Sequence, residues 1–234
     1  MACVLTSVHG QHLNKDTDPL LRRSGTFAFV RLYHMVTRDF NRASGCIMDI
    51  VETGLPGVLI LIPKRHGDNR GFFSESWNRE TLAANGLTFD FVQDNHSLSA
   101  EAGTVRGLHF QAPPRAQDKL VRCGRGVLFD VAVDIRKGSP TYGRWTGVEL
   151  SFENGKQLLV PAGFAHGFAT RVPGTEIIYK CTDTYSPDTE GALHFADPDL
   201  NIDWGIDPKT AILSDKDALA PSFRDLETPF TYES

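Results

Sequence analysis

The stretch "KLVRCGRGVLFDVAVDIR", residues 119 to 136, contains the pattern that decides the fold. From Leu128 to Ile135 the side chains alternate between two faces, one wholly apolar and the other carrying Asp130 and Asp134. A period of two residues is typical of a β-strand, because successive side chains of a strand point to opposite faces of the sheet. This stretch therefore predicts a strand with two chemically unlike faces.

Similar short apolar runs recur along the chain, as in "GVLILIPKRHGD" (57–68), "TGVELSFENGKQLLVPAG" (146–163) and "EIIYKCTD" (176–183). Glycine, proline and asparagine separate them, which is typical of an all-β sandwich or barrel. Two short helices are expected as additions to the sheets. One covers residues 77–86, with Leu82 and Ala83 on one side and Gly86 as its stop, and the other covers 213–220, with Ser214 as N-cap and Asp217 at the capping-box position.

Composition narrows the class of protein. The 234 residues suffice for a sizeable core, and a net charge of -5 gives no electrostatic reason to bind nucleic acid or an anionic membrane. The four cysteines are far apart and form no CxxC pair, so we expect reduced thiols rather than a disulfide framework or a zinc cluster. We expect a cytoplasmic protein without a membrane-spanning segment, whose partners are small molecules or copies of itself.

The first 47 residues differ from the remainder in charge. They contain six basic and three acidic residues, a net charge of +3, which leaves -8 for the rest of the chain. Clear helical or hairpin periodicity is also missing there. We therefore expect a poorly ordered N-terminal extension over residues 1–47 and a single domain over residues 48–234.

Several polar residues on predicted strands have chemistry in common. His109 and Tyr179 form the obvious pair for giving and taking protons, while Arg70, Arg106 and Lys119 suit an anionic ligand such as phosphate. Polar side chains on the inner face of a barrel must be hydrogen-bonded or serve a ligand, although any one of them alone is better explained as a surface group or turn cap. Together they predict acid–base chemistry on a phosphorylated substrate.

A metal site is the main competing hypothesis, because small β-barrels often bind iron, manganese or zinc through two histidines on one strand and a third on a later strand. Here the strand reads "HFQ", so Gln111 stands where the second histidine of the pair is expected. His166, in "PAGFAHGFAT", is a second candidate for acid–base chemistry, a later metal ligand or a core histidine bonded to a carbonyl. The missing pair argues against a metal.

Six ordered blocks carry a family resemblance, and they are "DNRGFFSESWN" (68–78), "FVQDNHSLSAEAGTVRGLHFQAPPRAQDKLVRC" (91–123), "FDVAVDIRKGSPTYGRW" (129–145), "QLLVPAGFAHGFAT" (157–170), "YKCTDTYSPDTEG" (179–191) and "LSDKD" (213–217). Over residues 48 to 222 the chain resembles the dTDP-4-dehydrorhamnose 3,5-epimerase family. The resemblance implies a cupin-like jelly roll, a homodimer and a cavity that needs no metal or other cofactor. It also implies epimerisation of dTDP-4-dehydro-6-deoxy-D-glucose at C3 and C5 through an enolate, on the route to dTDP-L-rhamnose.

The resemblance also implies roles for individual residues. His109 corresponds to the base, Lys119 to the residue facing the ketone oxygen, and Tyr179 to the acid that reprotonates the opposite face. Asp217 corresponds to the partner of His109, with Asp215 as the adjacent alternative. The positions that match substrate-binding residues are Arg70, Phe73, Glu75, Gln93, Asn95, Arg106, Glu190 and Lys216.

One position departs from the family pattern, since Tyr142 stands where a phenylalanine is expected. Other functions stay open at this point. Within the same chemistry they are epimerases that invert C3 alone or C5 alone for another deoxysugar pathway. Outside it they are a non-catalytic sugar-nucleotide binding protein, which predicts loss of one of the acid–base residues, and a metal-dependent cupin.

Overall fold

The structure is a computed structural model that describes residues 47–233. The expected N-terminal extension, apart from Ile47, lies outside the described residues, and the first strand begins at Met48. In chain order the strands are β1 (Met48–Glu52), β2 (Leu59–Pro63), β3 (His66–Asp68), β4 (Gly71–Phe73), β5 (Gln93–Ser99), β6 (Val105–Gln111), β7 (Lys119–Arg125), β8 (Val127–Asp134), β9 (Trp145–Ser151), β10 (Gln157–Val160), β11 (Phe164–Thr170), β12 (Thr175–Cys181) and β13 (Glu190–Ala192). The α-helices are α1 (Arg79–Ala84) and α2 (Asp215–Ala218).

The strands form two main sheets. Six strands pair in the order β1-β2-β10-β7-β12-β5, five pair in the order β13-β6-β11-β8-β9, and β3 and β4 form a separate hairpin. Every strand pair is antiparallel. Strands that are neighbours in a sheet are often distant in sequence, as in a Greek-key jelly roll. The predicted all-β, cupin-like jelly roll is confirmed.

The main core lies between the two sheets. It contains Val121 of β7 and Ile177 of β12 from one sheet, and Leu128 of β8 and Phe168 of β11 from the other. Each of these side chains is at most 5 % exposed. Burial of apolar surface from both sheets is the main stabilising term for such a sandwich.

Strand β8 has the two unlike faces that its alternation predicts, and both faces are buried. Leu128 and Ala132 point into the core between the sheets, with Asp130 and Asp134 on the same side. Val131 and Val133 pack instead against a second cluster that contains Leu193, Phe195, Leu200 and Trp204. The segment after β13 thus covers the outer face of the five-stranded sheet.

Both predicted helices are present with narrower bounds. Asn78 caps α1 by accepting hydrogen bonds from the backbone N–H groups of Glu80 and Thr81. Leu82 is buried, but Ala83 is exposed, so the expectation that both share one buried side is wrong, because adjacent helical residues are about 100° apart around the axis. In α2, Ser214 accepts a hydrogen bond from the Asp217 N–H at 3.1 Å, as an N-cap residue does.

Within residues 47–233, neither helix has the length and apolar character needed to cross a membrane.

Candidate active site

A cavity of about 460 Å³ lies among the two sheets and α2. Strand β6 contributes Arg106 and His109 to its wall, β7 contributes Lys119, β12 contributes Tyr179, and α2 contributes Lys216 and Asp217. The structure thus brings together six of the twelve residues predicted for the site. All six are polar, which makes the cavity suited to a polar ligand.

An irregularity in β6 lets Arg106 and His109 face the same cavity. In a regular strand, side chains three residues apart point to opposite faces. Here the β6–β11 register shifts, because His166 is paired with His109 whereas Phe168 is paired with Arg106. Gly107 lies at the shift with φ 114°, and a Cβ atom there would be 2.7 Å from the Cα of Gly167, so only glycine fits.

His109 forms a close pair with Asp217. Its Nε2 lies 2.6 Å from Asp217 Oδ1, and the Asp217 side chain is 5 % exposed. Burial alone raises the pKa of Asp217, but hydrogen bonds from His109 and from the Gly107 N–H outweigh it and hold that pKa below its usual value. Asp215, the sequence alternative, is exposed on the same helix. An ionised carboxylate bound to an imidazole orients the ring and stabilises its protonated form.

Burial shifts the pKa values of Lys119 and Tyr179 in opposite directions. Burial lowers the pKa of the Lys119 ammonium, while the nearby charges of Cys181, Asp130 and Glu190 act to raise it. Burial raises the pKa of the Tyr179 phenol above its ordinary value. The phenol therefore keeps its proton at neutral pH and can serve as an acid.

A second histidine–carboxylate pair lies beside the first. His166 Nε2 is 2.8 Å from Asp130 Oδ1, both residues are buried, and His166 also lines the cavity opposite His109. The other Asp130 carboxylate oxygen is buried without a hydrogen-bond partner among the described residues. The sequence identifies His166 as a candidate but does not show that Asp130 is its partner. The acidic residues on one face of β8 are the feature of the sequence that could have indicated this pair.

Beside the cavity, the Glu190 carboxylate is shared by two donors, of which Lys216 lines the cavity. Lys216 Nζ lies 2.5 Å from Glu190 Oε2, and the Tyr185 hydroxyl donates to the same oxygen at 2.8 Å. Burial alone raises the pKa of Glu190, but these two partners lower it below its usual value. Arg106 donates through Nη2 to the Leu98 carbonyl at 3.2 Å.

Gln93 and Asn95 lie on β5, next to β12. Asn95 is the register partner of Tyr179 and donates to Cys181 Sγ at 3.6 Å. Gln93 donates to Asn95 Oδ1 at 3.1 Å and accepts a hydrogen bond from the Tyr185 N–H. Neither side chain lines the cavity itself. Both lie on the strand that contributes Ser97 to its wall.

Three predicted binding residues lie away from the cavity. Arg70 is in the β3–β4 hairpin and pairs with Asp68 at 2.5 Å, and Phe73 is 72 % exposed. Glu75 accepts a hydrogen bond from Thr81 Oγ1 at 3.3 Å. None of the three lines the cavity of its own chain.

Gln111 and Tyr142 are the two residues at which the sequence departs from an expected pattern. Gln111 is buried, and its amide bonds to the backbone of Thr184 and Ser186. Residues 47–233 contain no group of three or more histidine, cysteine or acidic side chains arranged to hold a metal ion. Tyr142 packs its ring against Phe223, with centroids 5.2 Å apart, and does not line the cavity.

The chain is similar to known proteins over most of the described residues. Residues 52–225 match the family model described as dTDP-4-dehydrorhamnose 3,5-epimerase. Proteins of that name from Sinorhizobium fredii and Salmonella typhimurium are 53% and 52% identical, each over 75% of this chain and over 89% and 95% of their own lengths. The crystal structure of dTDP-6-deoxy-D-glucose-3,5-epimerase from Legionella pneumophila, in complex with dTDP-4-keto-L-rhamnose, superposes with a TM-score of 0.76 at 44% identity. The superposition covers 80% of this chain and 100% of the Legionella chain.

Proposed function

Because the chain belongs to the dTDP-4-dehydrorhamnose 3,5-epimerase family, we propose that its cavity epimerises dTDP-4-dehydro-6-deoxy-D-glucose at C3 and C5, with His109 as the base. The observation that carries the proposal is the contact between His109 and buried Asp217 inside a cavity that also contains Lys119 and Tyr179. The enzyme class is isomerase, on the route to dTDP-L-rhamnose.

Proton removal is the first step. The C4 ketone acidifies the hydrogens on C3 and C5, since the carbanion left behind is delocalised onto the ketone oxygen as an enolate. Asp217 accepts the hydrogen on Nε2 of His109, which leaves Nδ1 unprotonated and able to take the substrate proton. The imidazolium that forms is stabilised by the Asp217 carboxylate.

Stabilisation of the enolate and reprotonation complete the inversion. Lys119 lines the cavity and is assigned to the ketone oxygen, where electrostatic stabilisation by an ammonium is worth roughly 3 kcal/mol of barrier. Tyr179, protonated at neutral pH, delivers its proton to the face opposite His109. The two groups come from different sheets, β6 in one and β12 in the other, which suits donors and acceptors on opposite faces of one sugar ring.

The remaining cavity residues suit the polar and anionic parts of the substrate. Arg106 and Lys216 supply positive charge for the diphosphate, as arginine and lysine do in phosphate sites generally. Glu190, Gln93 and Asn95 lie beside the cavity rather than in its wall, and they supply hydrogen-bonding groups for the sugar and nucleoside.

The direct test is incubation of the protein with the substrate in D2O, followed by NMR. Deuterium at both C3 and C5 of the product is the expected result. Deuterium at C3 alone, or at C5 alone, would contradict double epimerisation and indicate one of the single-centre alternatives.

A homodimer would give the exposed β3–β4 hairpin a role in substrate binding. Arg70 and Phe73 are exposed away from the cavity of their own chain, so a role in substrate binding requires that they reach the cavity of a second copy. We therefore propose that each cavity of the dimer is completed by the β3–β4 hairpin of the partner chain. Glu75, two residues beyond the hairpin, belongs to the same proposal.

Mixing two inactive variants tests this arrangement. His109→Ala removes the base, and Arg70→Ala removes the hairpin cation. In a mixed dimer one cavity carries both defects, while the other has an intact base and an intact hairpin. Activity regained after unfolding and refolding the two variants together supports the proposal, whereas no gain over the separate variants, in a mixture shown to contain mixed dimers, contradicts it.

The proposed location is the cytoplasm. Cys123 and Cys181, the cysteines within the described residues, are free and buried, and unpaired thiols are usual in reducing compartments. Cell fractionation with detection of the intact chain tests this, and recovery outside the cytoplasmic fraction would contradict it.

A further inference from the structure

Residues 184–186, here called the mouth loop, are anchored by two glutamines from different sheets. Gln93 of β5 accepts a hydrogen bond from the Tyr185 N–H at 2.9 Å. Gln111 of β6 donates to the Thr184 carbonyl at 3.0 Å and accepts from the Ser186 N–H at 2.9 Å. Since β5 lies in the six-stranded sheet and β6 in the five-stranded sheet, the backbone of the loop is fixed from both sides of the barrel.

The anchored loop carries Tyr185, whose side chain contacts the partner of a cavity residue. The Tyr185 hydroxyl donates to Glu190 Oε2 at 2.8 Å, and the same oxygen lies 2.5 Å from Lys216 Nζ. Lys216 directly precedes Asp217 on α2, and Asp217 contacts the catalytic histidine. A continuous set of contacts therefore runs from the mouth loop through Glu190 to the helix that carries the dyad carboxylate.

Tyr185 is the fixed member of this set. Tyr185 and Lys216 are both more than half exposed, so the difference between them lies in the chain itself. A phenol has two side-chain torsions and here extends from a backbone held by three hydrogen bonds, whereas the ammonium of Lys216 ends a flexible four-carbon stem. If the phenol hydroxyl is absent, Glu190 retains only the mobile ammonium as a partner at that oxygen. Glu190 and Lys216 then adopt several orientations rather than one.

We propose that Tyr185 is a positioning residue, which holds Glu190 and, through it, Lys216 in the orientation that receives the anionic end of the substrate. This inference rests on the proposed function, because it takes the substrate to be a sugar nucleotide whose diphosphate meets Lys216. Tyr185 acts through Glu190 and does not itself contact the reacting atoms.

A double-mutant cycle tests the inference. Steady-state kcat and KM are measured for the wild-type protein, Tyr185→Phe, Glu190→Gln and the double variant. In the wild-type background Tyr185→Phe is expected to raise KM about three- to tenfold with kcat within about twofold, as befits an exposed hydrogen bond to a charged group. In the Glu190→Gln background the same change should alter KM less than about twofold, because the neutral amide forms no ion pair with Lys216, even though its oxygen can still accept the Tyr185 hydroxyl.

Tyr142→Phe is the matched control. It removes a phenol hydroxyl from another partly exposed tyrosine, which packs on Phe223 and does not line the cavity, so kcat and KM should stay unchanged. An equal rise in KM from Tyr185→Phe in both backgrounds would overturn the inference, since it would mean direct contact with the ligand. No rise from Tyr185→Phe, together with a raised KM in Glu190→Gln, would overturn it while leaving the proposed function intact. An unchanged KM in Glu190→Gln would contradict the binding role of Glu190 itself and the inference with it.

Discussion

The substitution Asp217→Asn removes one charge from the buried dyad and changes little else. The Asp217 side chain is 5 % exposed and its Oδ1 lies 2.6 Å from His109 Nε2. Asparagine has nearly the same shape, and its side-chain oxygen still accepts the hydrogen on Nε2. The ring orientation is therefore largely kept, while the negative charge that stabilises the imidazolium is lost.

The size of the effect follows from the geometry. For charge centres about 4 Å apart, an effective dielectric constant of about 20 gives an attraction of about 4 kcal/mol. A hydrogen bond to a charged group contributes about 1.5–3 kcal/mol by mutational measurement, which sets the lower side of the range. A barrier raised by about 2–4 kcal/mol lowers kcat by roughly 30- to 1000-fold.

The assay is the initial rate of epimerisation at saturating substrate, with Asp215→Asn as the control. Asp215 lies on the same helix and is exposed, so its loss should change kcat by less than about twofold. Thermal unfolding of both variants separates catalytic loss from misfolding. A fully folded Asp217→Asn protein that keeps more than a third of the wild-type kcat would refute the reasoning, as would an equal loss in Asp215→Asn.

Three other outcomes are expected. Tyr179→Phe should lower product formation at least about 100-fold while exchange of substrate hydrogens with D2O falls less than about tenfold, because the acid is lost and the base is kept; equal losses by NMR would contradict separate roles. Lys119→Met should lower kcat at least about 100-fold, because the positive charge that stabilises the enolate is lost. The same variant should raise Tm at neutral pH, since burial lowers the pKa of Lys119 and its charged form therefore costs stability. That cost disappears as the pH rises from the lowered pKa of Lys119 towards 10.5, the ordinary value, because the folded protein then contains the neutral amine. The Tm difference between the variant and the wild-type protein should therefore shrink at alkaline pH in calorimetry. A difference that stayed constant would contradict the burial of a charged Lys119. EDTA treatment should leave kcat unchanged with no stoichiometric metal by elemental analysis, and recovery of lost activity by a divalent metal would favour the metal-dependent alternative.

Local patterns in the sequence were sufficient to predict the fold class. The alternation from Leu128 to Ile135 specifies a strand wherever that strand packs, and the predicted cap Ser214 acts on its own helix. What periodicity could not reveal is that both faces of β8 are buried. The cluster that covers the second face contains residues between Leu193 and Trp204, which lie more than fifty residues after β8 in the sequence. Contacts with such distant residues do not change the alternation within β8.

The site was predictable in residue type but not in arrangement. His109 and Asp217 are 108 residues apart, so spacing alone could not choose between Asp217 and Asp215, and burial in the folded chain distinguishes them. Gln111 was considered only as a missing metal ligand, although its amide anchors the mouth loop. Hydrogen bonds of that kind depend on how the fold brings together a strand and a loop that are 73 to 75 residues apart in sequence.

Deuterium incorporation by His109→Ala tests the central claim most directly, because one base is held responsible for both carbons. The variant is incubated with dTDP-4-dehydro-6-deoxy-D-glucose in D2O beside the wild-type protein, and deuterium at C3 and C5 is counted by NMR. The expected result is deuterium at both carbons with the wild-type protein and at neither with the folded variant. Deuterium entering C3 or C5 at the wild-type rate in His109→Ala would contradict the assignment of His109 as the common base.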